Sequence, residues 1–184
     1  MAKVERKSKN PSDRERIRDE FEARLVDLAR VTRVTEGGKQ MSFRACVVVG
    51  DRKGKLGEAT KKGADVSIAI DKATRAAKKN LIEIVLKDGT IPYQIKEKCS
   101  AAKIILKPAP KGTGIKAGGS MRVVLELAGV ENVISKMLGS RNKISNVRAT
   151  INALKKLSDL AKNLPKKEKV LEVKKEEKKE EIKK

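Results

Sequence analysis

A glycine-rich segment, residues 107–122, has the side chains and spacing best suited to holding an anion. Two prolines interrupt the β-branched stretch before it, and an apolar repeat typical of a helix follows it. Glycines ahead of a helix leave backbone N–H groups bare at the positive end of the helix dipole, where a phosphate can bind. Lys111, Lys116 and Arg122 add full positive charges to the same segment. The pattern predicts contact with phosphate or with a partner, and the alternative is a tight structural turn.

The spacing of these glycines does not fit the common nucleotide-binding motifs. A P-loop needs a lysine directly after its last glycine, but Gly119 is followed by Ser120 and Met121. A dinucleotide-binding fingerprint that starts at Gly112 meets Ala117 where its third glycine belongs. The sequence also contains no histidine, the commonest general base and metal ligand. We therefore expect no enzymatic activity, no metal and no cofactor.

Positive charge is concentrated in the middle of the chain. The sequence has 45 Lys and Arg against 24 Asp and Glu, and residues 21–161 hold 28 of the former and 13 of the latter, a net charge of +15. A polyanion is therefore the expected partner of the folded part. Aromatic residues are only 2% of the sequence, which makes stacking on unpaired bases a poor mechanism.

The sequence also indicates a compartment. No apolar run approaches the ~20 residues of a membrane span, and the charged amino end lacks the apolar core of a signal peptide. Cys46 lies in an apolar stretch, and Cys99 is the second cysteine. We expect two packed thiols, as is usual in a reducing cytoplasm, and no membrane contact.

The first half of the chain predicts a three-stranded sheet backed by a helix. Residues 22–35 suit either a helix or a strand, because apolar positions at helical spacing overlap a stretch rich in Val and Thr. In chain order, the other elements are a turn at 36–39, a strand over 42–50, a hairpin turn at 51–54, a weak strand over 55–60, and a helix from the N-cap Asp65 to about Asn80.

The outer face of that first helix carries four cations, Lys72, Arg75, Lys78 and Lys79. Lysines near a helix C-terminus favour the helix dipole, so these residues need no nucleic acid to explain them. Contact with nucleic acid and plain solvation are both consistent with the pattern.

The second half predicts a sheet packed by two helices. The helix behind the glycine segment turns Met121, Val124, Leu125 and Ala128 inward and ends at Gly129, while Arg122 points outward with its charge free. The remaining elements are an apolar stretch at 81–86, a turn at 87–89, an antiparallel pair at 94–98 and 101–107, a strand at 133–138, and a last helix from about Ser145 with the buried stripe Val147, Ile151, Leu154, Leu157 and Leu160 or Ala161.

Several segments together are similar to the bacterial form of the small-subunit ribosomal protein five family. The likeness spans roughly residues 22–157 in order. The similar segments are Arg30 to Lys39, Ser42-Phe43, Val48-Val49-Gly50-Asp51, Lys107-Pro108-Ala109, Gly112-Thr113-Gly114-Ile115, Ala117-Gly118-Gly119, Met121-Arg122, Val123 to Asn132, and Asn146-Val147-Arg148-Ala149-Thr150. The chain departs from the family at Glu58 to Lys61, where glycine and an aromatic are usual, at Ser67, where proline is usual, and at Glu36, where lysine is common.

The resemblance implies an α+β fold of two small domains. The first is double-stranded-RNA-binding-like, and the second is an α+β domain with a left-handed strand–helix–strand crossover. It also implies that residues 22–35 are mostly strand. The expected divisions are a charged extension over 1–20, the first domain over 21–84, the second over 85–161, and a Lys/Glu-rich tail over 162–184.

The same resemblance implies RNA and protein contacts. The loop from Arg30 to Lys39 would reach small-subunit ribosomal RNA near the head–body junction, next to the spectinomycin site. Gly114 and Arg122 would face small-subunit ribosomal protein four, at an interface linked with decoding accuracy and close to where messenger RNA enters; protein eight is the other expected neighbour. The predicted RNA-binding residues are Arg30, Thr32, Arg33, Gly37, Gly38, Lys39, Arg52, Lys53, Lys55, Lys62, Lys111 and Lys116, and the predicted protein interface is Gly112, Thr113, Gly114 and Arg122.

The function that follows is that of a structural constituent of the small ribosomal subunit. A free double-stranded-RNA-binding regulatory protein is the alternative. That alternative accounts for the first domain and for the charge but leaves the segment from Gly112 to Arg122 unexplained.

Overall fold

The computed structural model describes residues 21–86 and 88–160. The predicted extension over 1–20, Ala161 and the predicted tail over 162–184 lie outside the described residues. Within the described part of the chain, no helix is long and apolar enough to cross a membrane.

The first sheet is antiparallel and has four strands in the order β1-β2-β3-β4. Its elements are β1 (Glu22–Thr35), β2 (Gly38–Gly50), β3 (Lys55–Gly63), helix α1 (Val66–Ala77) and β4 (Leu81–Glu83). Residues 22–35 are therefore strand, as the resemblance implied. The prediction of three strands was wrong by one, because Leu81–Glu83 pairs with the start of β3.

The second sheet has the order β5-β6-β8-β7. Its elements are β5 (Ile95–Cys99), β6 (Ala102–Pro108), β7 (Ile115–Lys116), α2 (Gly119–Ala128), β8 (Val133–Met137) and a helix over residues 143–160, called α3. β7 and β8 are parallel neighbours with α2 between them in the chain, which gives a strand–helix–strand crossover. The two sheets and three described helices make the fold α+β, as predicted.

The C-terminal half of β2, residues 45–50, is buried on both faces of the first sheet. On one face, Ala45, Val47 and Val49 pack against Ala69, Ala73 and Ala77 of α1, whose small side chains let the helix approach closely. On the other face, Val48 joins the core formed by the second sheet, α2 and α3. Two-sided burial explains why this strand reads as a continuous apolar run.

α1 differs from its prediction at both ends. Asp65 occupies the N-cap position, but its side chain makes no capping hydrogen bond. The helix ends at Ala77, three residues before the predicted end at Asn80.

The predicted apolar stripes of α2 and α3 are confirmed. Met121, Val124, Leu125 and Ala128 of α2 are fully buried, as are Val147 and Leu154 of α3, with Ile151 and Leu157 almost so. Leu160 is 50% exposed, so the described part of the α3 stripe ends at Leu157.

The turn between β2 and β3 packs onto the C-terminus of α2. The Arg52 N–H donates to the carbonyl of Leu127 over 3.0 Å. Gly129, the C-cap of α2, has φ 82°, and a Cβ atom there would collide with the Arg52 carbonyl. A residue with a side chain would meet both a backbone penalty and a clash, so this contact between the two halves of the fold requires glycine.

Both cysteines are free thiols, Cys46 buried and Cys99 half-buried. Burial raises the pKa of the Cys46 thiol above its ordinary value. Cys46 therefore acts as a small packed side chain, which agrees with its position in an apolar strand.

Candidate nucleic-acid interface

A two-stranded hairpin projects from the first sheet. β3 stops pairing with β2 at Phe43, whereas β1 and β2 continue to pair from Val31 with Ser42 to Thr35 with Gly38. These five additional pairs extend about 16 Å beyond the body at about 3.3 Å per residue. Every residue from Thr32 to Met41 is exposed. The projection offers both faces of a β-ribbon to a partner.

The tip of this hairpin is formed by Glu36 and Gly37. Thr35 Oγ1 donates to the carbonyl of Gly38 over 3.2 Å, and Gly38 has φ 142°. The tip therefore uses a positive φ at Gly38 but not at Gly37. No atom outside the adjacent residues lies within 4 Å of a Cβ built on either glycine, so the tip is open to close approach.

The predicted RNA contacts on the hairpin lie on two faces. Arg30 pairs with Phe43, which packs on the α1 side of the sheet, and cross-strand partners share a face. By the two-residue alternation, Thr32 and Lys39 lie on this α1 side, and Arg33 lies on the opposite side. The hairpin is thus basic on both faces.

Three of the predicted contacts lie at the other end of β2. Asp51 Oδ1 accepts the N–H of Lys53 at 2.7 Å and of Lys55 at 2.9 Å, which shapes the turn and leaves both lysine side chains exposed. The Arg52 guanidinium instead binds Glu22 through two hydrogen bonds of 2.6 and 2.9 Å. β2 spans about 40 Å between this turn and the hairpin tip, so the predicted cations do not form one cluster.

Lys62 lies near the base of the hairpin, because it pairs with Arg44 two residues from Ser42. Its side chain is exposed. Of the four predicted cations outside the hairpin in this domain, Lys62 alone is adjacent to it.

The glycine-rich segment is divided by a strand, so the prediction of one continuous loop into the helix was wrong. Gly112 and Gly114 form a tight turn with φ 89° and 68°, and β7 separates this turn from α2. The side chain of the buried Asn132 holds the turn, since its Oδ1 accepts the Gly114 N–H at 3.1 Å. Thr113 is half-buried, and Lys111 and Lys116 are exposed on either side.

Arg122 points outward, with 60% of its side chain exposed, but the prediction that its charge is free was wrong. Its Nε donates to Glu126 Oε1 over 2.8 Å. Glu126 also accepts from Arg24 Nη1 at 2.6 Å, and Arg24 in turn donates to Glu22 at 2.8 Å. With the pair between Arg52 and Glu22, these contacts form an alternating chain of three arginines and two glutamates across the two halves of the fold.

This ion-pair chain shifts the pKa values of its carboxyl groups. Hydrogen bonds from Arg24 and Arg52 lower the pKa of Glu22 below its ordinary value of 4.5. The hydrogen bond from Arg122 lowers the pKa of Glu126 below its ordinary value; burial opposes this effect, and the hydrogen bond from Arg24 adds to the lowering. Both glutamates are therefore firmly ionised at neutral pH.

A shallow groove of about 390 Å³ borders the same chain. It is lined by Arg24, Arg52, Ile115, Glu126, Gly129, Val130 and Glu131. Ile115 directly follows Gly114, and Glu126 is the ion-pair partner of Arg122, so two residues of the predicted protein interface are next to residues that line the groove.

The set of residues predicted from the sequence lacks Glu22, Arg24, Glu126 and Asn132. The spacing of four residues between Arg122 and Glu126 on one helix is typical of an ion pair, so this contact could have been predicted. The contact between Arg24 and Glu126 joins residues 102 apart, and nothing local in the sequence indicates it.

Glu58, one of the departures from the family pattern, contacts α3. Its Oε1 accepts from Arg148 Nε over 3.3 Å, with 19% of the Glu58 side chain exposed. The departure therefore coincides with an ion pair between the first sheet and the last described helix.

Comparison with known proteins covers both halves of the chain. Residues 21–85 match the family model of ribosomal protein S5, N-terminal domain, and residues 97–167 match that of ribosomal protein S5, C-terminal domain. The relative from Thermosipho africanus, small ribosomal subunit protein uS5, is 44% identical over 88% of this chain and 89% of its own length.

Two further relatives give the same result. The uS5 protein of Thermotoga maritima is 45% identical over 77% of this chain and 79% of its own length. The uS5c protein of Emiliania huxleyi is 48% identical over 84% of this chain and 96% of its own length. Because both family models match in order and these relatives align over most of their lengths, the chain belongs to the ribosomal protein S5 family.

Proposed function

We propose that this chain is a structural component of the small ribosomal subunit and binds small-subunit ribosomal RNA. The observation that carries the proposal is the match of both halves, in order, to proteins named small ribosomal subunit protein uS5. The net charge of +15 on residues 21–161 supports an RNA partner.

The hairpin is the main RNA contact in this proposal. A two-stranded ribbon is only marginally stable by itself, so its exposed projection is best explained by a partner that holds it. Arg30, Thr32 and Lys39 on one face and Arg33 on the other would bind phosphates of two RNA segments. Gly37 and Gly38 would allow the backbone at the tip to approach RNA, near the head–body junction and the spectinomycin site.

Other exposed cations extend this contact along the body. Lys53, Lys55 and Lys62 of the first domain and Lys111 and Lys116 of the second would bind further phosphates. Arg52 would also bind a phosphate, because a guanidinium has five N–H donors and its hydrogen bonds to Glu22 use only two of them.

The surface formed by Gly112, Thr113, Gly114 and Arg122 is proposed to contact small-subunit ribosomal protein four. The groove lined by Ile115 and Glu126, which are next to Gly114 and Arg122, supports a protein partner. Protein eight would be a second neighbour and messenger RNA would pass nearby, so this surface would influence decoding accuracy. In this proposal the first domain spans residues 21–84 and the second spans residues 85–161. The protein would act in the cytoplasm and would not be an enzyme.

The alternative, a free double-stranded-RNA-binding regulatory protein, has no support in the comparisons. It would account for the first domain alone, whereas residues 97–167 also match the family.

Competition binding tests the proposal. The full-length chain is titrated with a small-subunit ribosomal RNA transcript in the presence of excess unrelated RNA duplex. We expect binding to survive the competitor and to weaken with salt at a log–log slope of roughly −4 to −5, as for about six neutralised phosphates. Equal competition by the unrelated duplex, or a slope near zero, would overturn the proposal.

A further inference from the structure

A groove beside α1 carries four basic side chains that the proposed function does not use. Its volume is about 520 Å³, and it is lined by Lys61, Lys72, Arg75, Ala76, Lys79 and Asn80. Lys72, Arg75 and Lys79 are spaced by three and four residues, which puts them on one face of the helical segment over about 10 Å. Lys61 approaches from β3.

These four cations have no anionic partner within residues 21–86 and 88–160, where neither the groove lining nor any ion pair supplies one. Asp71 stands four residues before Arg75, the spacing at which a helical ion pair forms, yet the two do not pair. Like charges gathered in a concave site repel one another and attract a polyanion.

The helix dipole explains only part of this arrangement. Cations in the last turn favour the dipole, which accounts for Arg75 and Lys79. It does not account for Lys72 in the middle of α1 or for Lys61 on a strand. Lys78 also follows the last turn, but its Nζ lies 6.0 Å from the centre of the Phe21 ring and outside the groove lining.

The groove lies on the same side of the first sheet as one face of the hairpin. Lys61 pairs with Ala45, whose side chain packs on the α1 side of the sheet. Arg30, Thr32 and Lys39 lie on that same side. One side of the sheet is thus basic from the hairpin to α1.

We propose that this groove binds the phosphate backbone of an RNA duplex, as a second RNA contact beside the hairpin. Lys72 and Arg75 of α1 and Lys79, two residues beyond its end, are spaced by about 4.5 and 6 Å at the helical rise, so they can each meet a different phosphate along one strand. No aromatic side chain lines the groove to stack on unpaired bases, which favours a duplex over a single strand. The inference rests on the proposed function for its class of partner.

The test compares two triple variants with equal loss of charge. Lys72→Gln/Arg75→Gln/Lys79→Gln removes three of the four groove cations, and glutamine preserves helix propensity at the two positions in α1. Lys96→Gln/Lys98→Gln/Lys155→Gln is the control; its three lysines are exposed, belong to the second domain, and form no ion pair among the described residues. The measured quantity is the dissociation constant for a small-subunit ribosomal RNA transcript between 50 and 200 mM KCl, with far-ultraviolet circular dichroism to verify folding.

Loss of three duplex phosphate contacts should make the salt slope of the groove variant less steep by about 2.7. The affinity gap between wild type and this variant should therefore shrink about 40-fold over the fourfold range of salt. A slope equal to that of the control variant would overturn the inference. If wild type itself fails to bind ribosomal RNA selectively, the proposed function has failed instead.

Lysine acetylation of the wild-type chain gives a second measurement that does not depend on a variant. In the RNA complex, Lys61, Lys72 and Lys79 should be protected at least several-fold more than Lys96 and Lys98. Protection of the groove lysines by polyglutamate but not by RNA would mean an acidic protein partner and would also overturn the inference.

Discussion

Arg122 and Leu125 are three residues apart on α2, yet their side chains have opposite surroundings. Leu125 is fully buried, so Leu125→Ala should cost about 2–5 kcal/mol of unfolding free energy. Arg122 makes one exposed ion pair, so Arg122→Leu should cost less than about 1 kcal/mol. Urea titration measures both values. Similar costs for the two variants would mean that Arg122 is a structural anchor.

The same Arg122→Leu variant tests the proposed protein interface. Subunits containing it should assemble normally but misread codons at a changed rate, because a bias of ~1.4 kcal/mol on a two-state closure shifts the ratio of states about tenfold. Arg141→Leu, another exposed arginine, is the control and should leave the misreading rate unchanged. Normal fidelity in subunits shown to contain Arg122→Leu would contradict the interface.

The lowered pKa values of Glu22 and Glu126 predict a dependence of stability on pH. A carboxyl group whose pKa is lower in the folded state stabilises the fold above its ordinary value, here 4.5, and loses that contribution as the pH falls toward the folded value. The urea midpoint should therefore fall from pH 5 to pH 3. It should fall less in Glu126→Gln, whereas Glu36→Gln, at the hairpin tip, should behave as wild type. An equal fall in all three proteins would show that the ion pairs of Glu126 contribute nothing to this dependence.

At the scale of elements, the hairpin combines complete exposure with regular pairing. Replacing residues 32–41 by Asn-Gly would join Val31 and Ser42, which already face each other, through a two-residue turn that suits a β-hairpin. Because the removed residues are exposed, unfolding free energy should change by less than about 1 kcal/mol, while binding to ribosomal RNA weakens. Filter binding and urea titration would test this, and unchanged RNA affinity would contradict the role of the hairpin.

Single substitutions refine the placement of the hairpin. Thr32→Ala and Arg33→Ala should change the spectinomycin sensitivity of ribosomes that contain them before they change stability. Thr35→Ala, next to the tip, separates loss of the hydrogen bond to Gly38 from loss of an RNA contact. Unaltered inhibition with both Thr32→Ala and Arg33→Ala would exclude a position near the drug site.

Elements with a strong local pattern could be predicted from the sequence. The continuous apolar run around Val47 predicted a buried strand, and the spacing of Met121 and Leu125 predicted the buried face of α2. Residues 22–35 could not be assigned from periodicity, because a strand with one end on the core and the other in solvent shows neither period clearly. Leu81–Leu86 had the composition of a strand, but pairing with β3 extends only to Glu83.

At the scale of the molecule, the site depended on contacts that no local pattern encodes. The glycine spacing predicts that Lys111 and Gly114 form one phosphate-binding loop with α2, but pairing of β7 with β8 separates them from the helix. The prediction that the charge of Arg122 is free was wrong, because Arg122 pairs with Glu126. Arg24 of the first strand holds Glu126 from the other side, a contact that no local pattern indicates. The sequence gives the positions of the cations along the chain, but it does not predict which of them form ion pairs.

The contact between Gly129 and Arg52, which forms a joint between the two halves of the fold, can be tested with a matched pair of substitutions. Gly129 and Gly112 both have φ in the left-handed region, so alanine should cost about 1–2 kcal/mol at either position. Only Gly129 also faces the Arg52 carbonyl, while the space beside Gly112 is open. Gly129→Ala should therefore be the more destabilising variant in urea titration, and equal costs would contradict the tight packing of this joint.

Sedimentation of the chain in a cell lysate tests its assignment to the small ribosomal subunit most directly. A sucrose gradient is run with and without ribonuclease, and the chain is detected in each fraction. The assignment predicts that the chain sediments with the small subunit and that ribonuclease shifts it to the top of the gradient. A diffuse, RNA-dependent distribution would point to a free RNA-binding protein, and a light peak unaffected by ribonuclease would contradict RNA binding altogether.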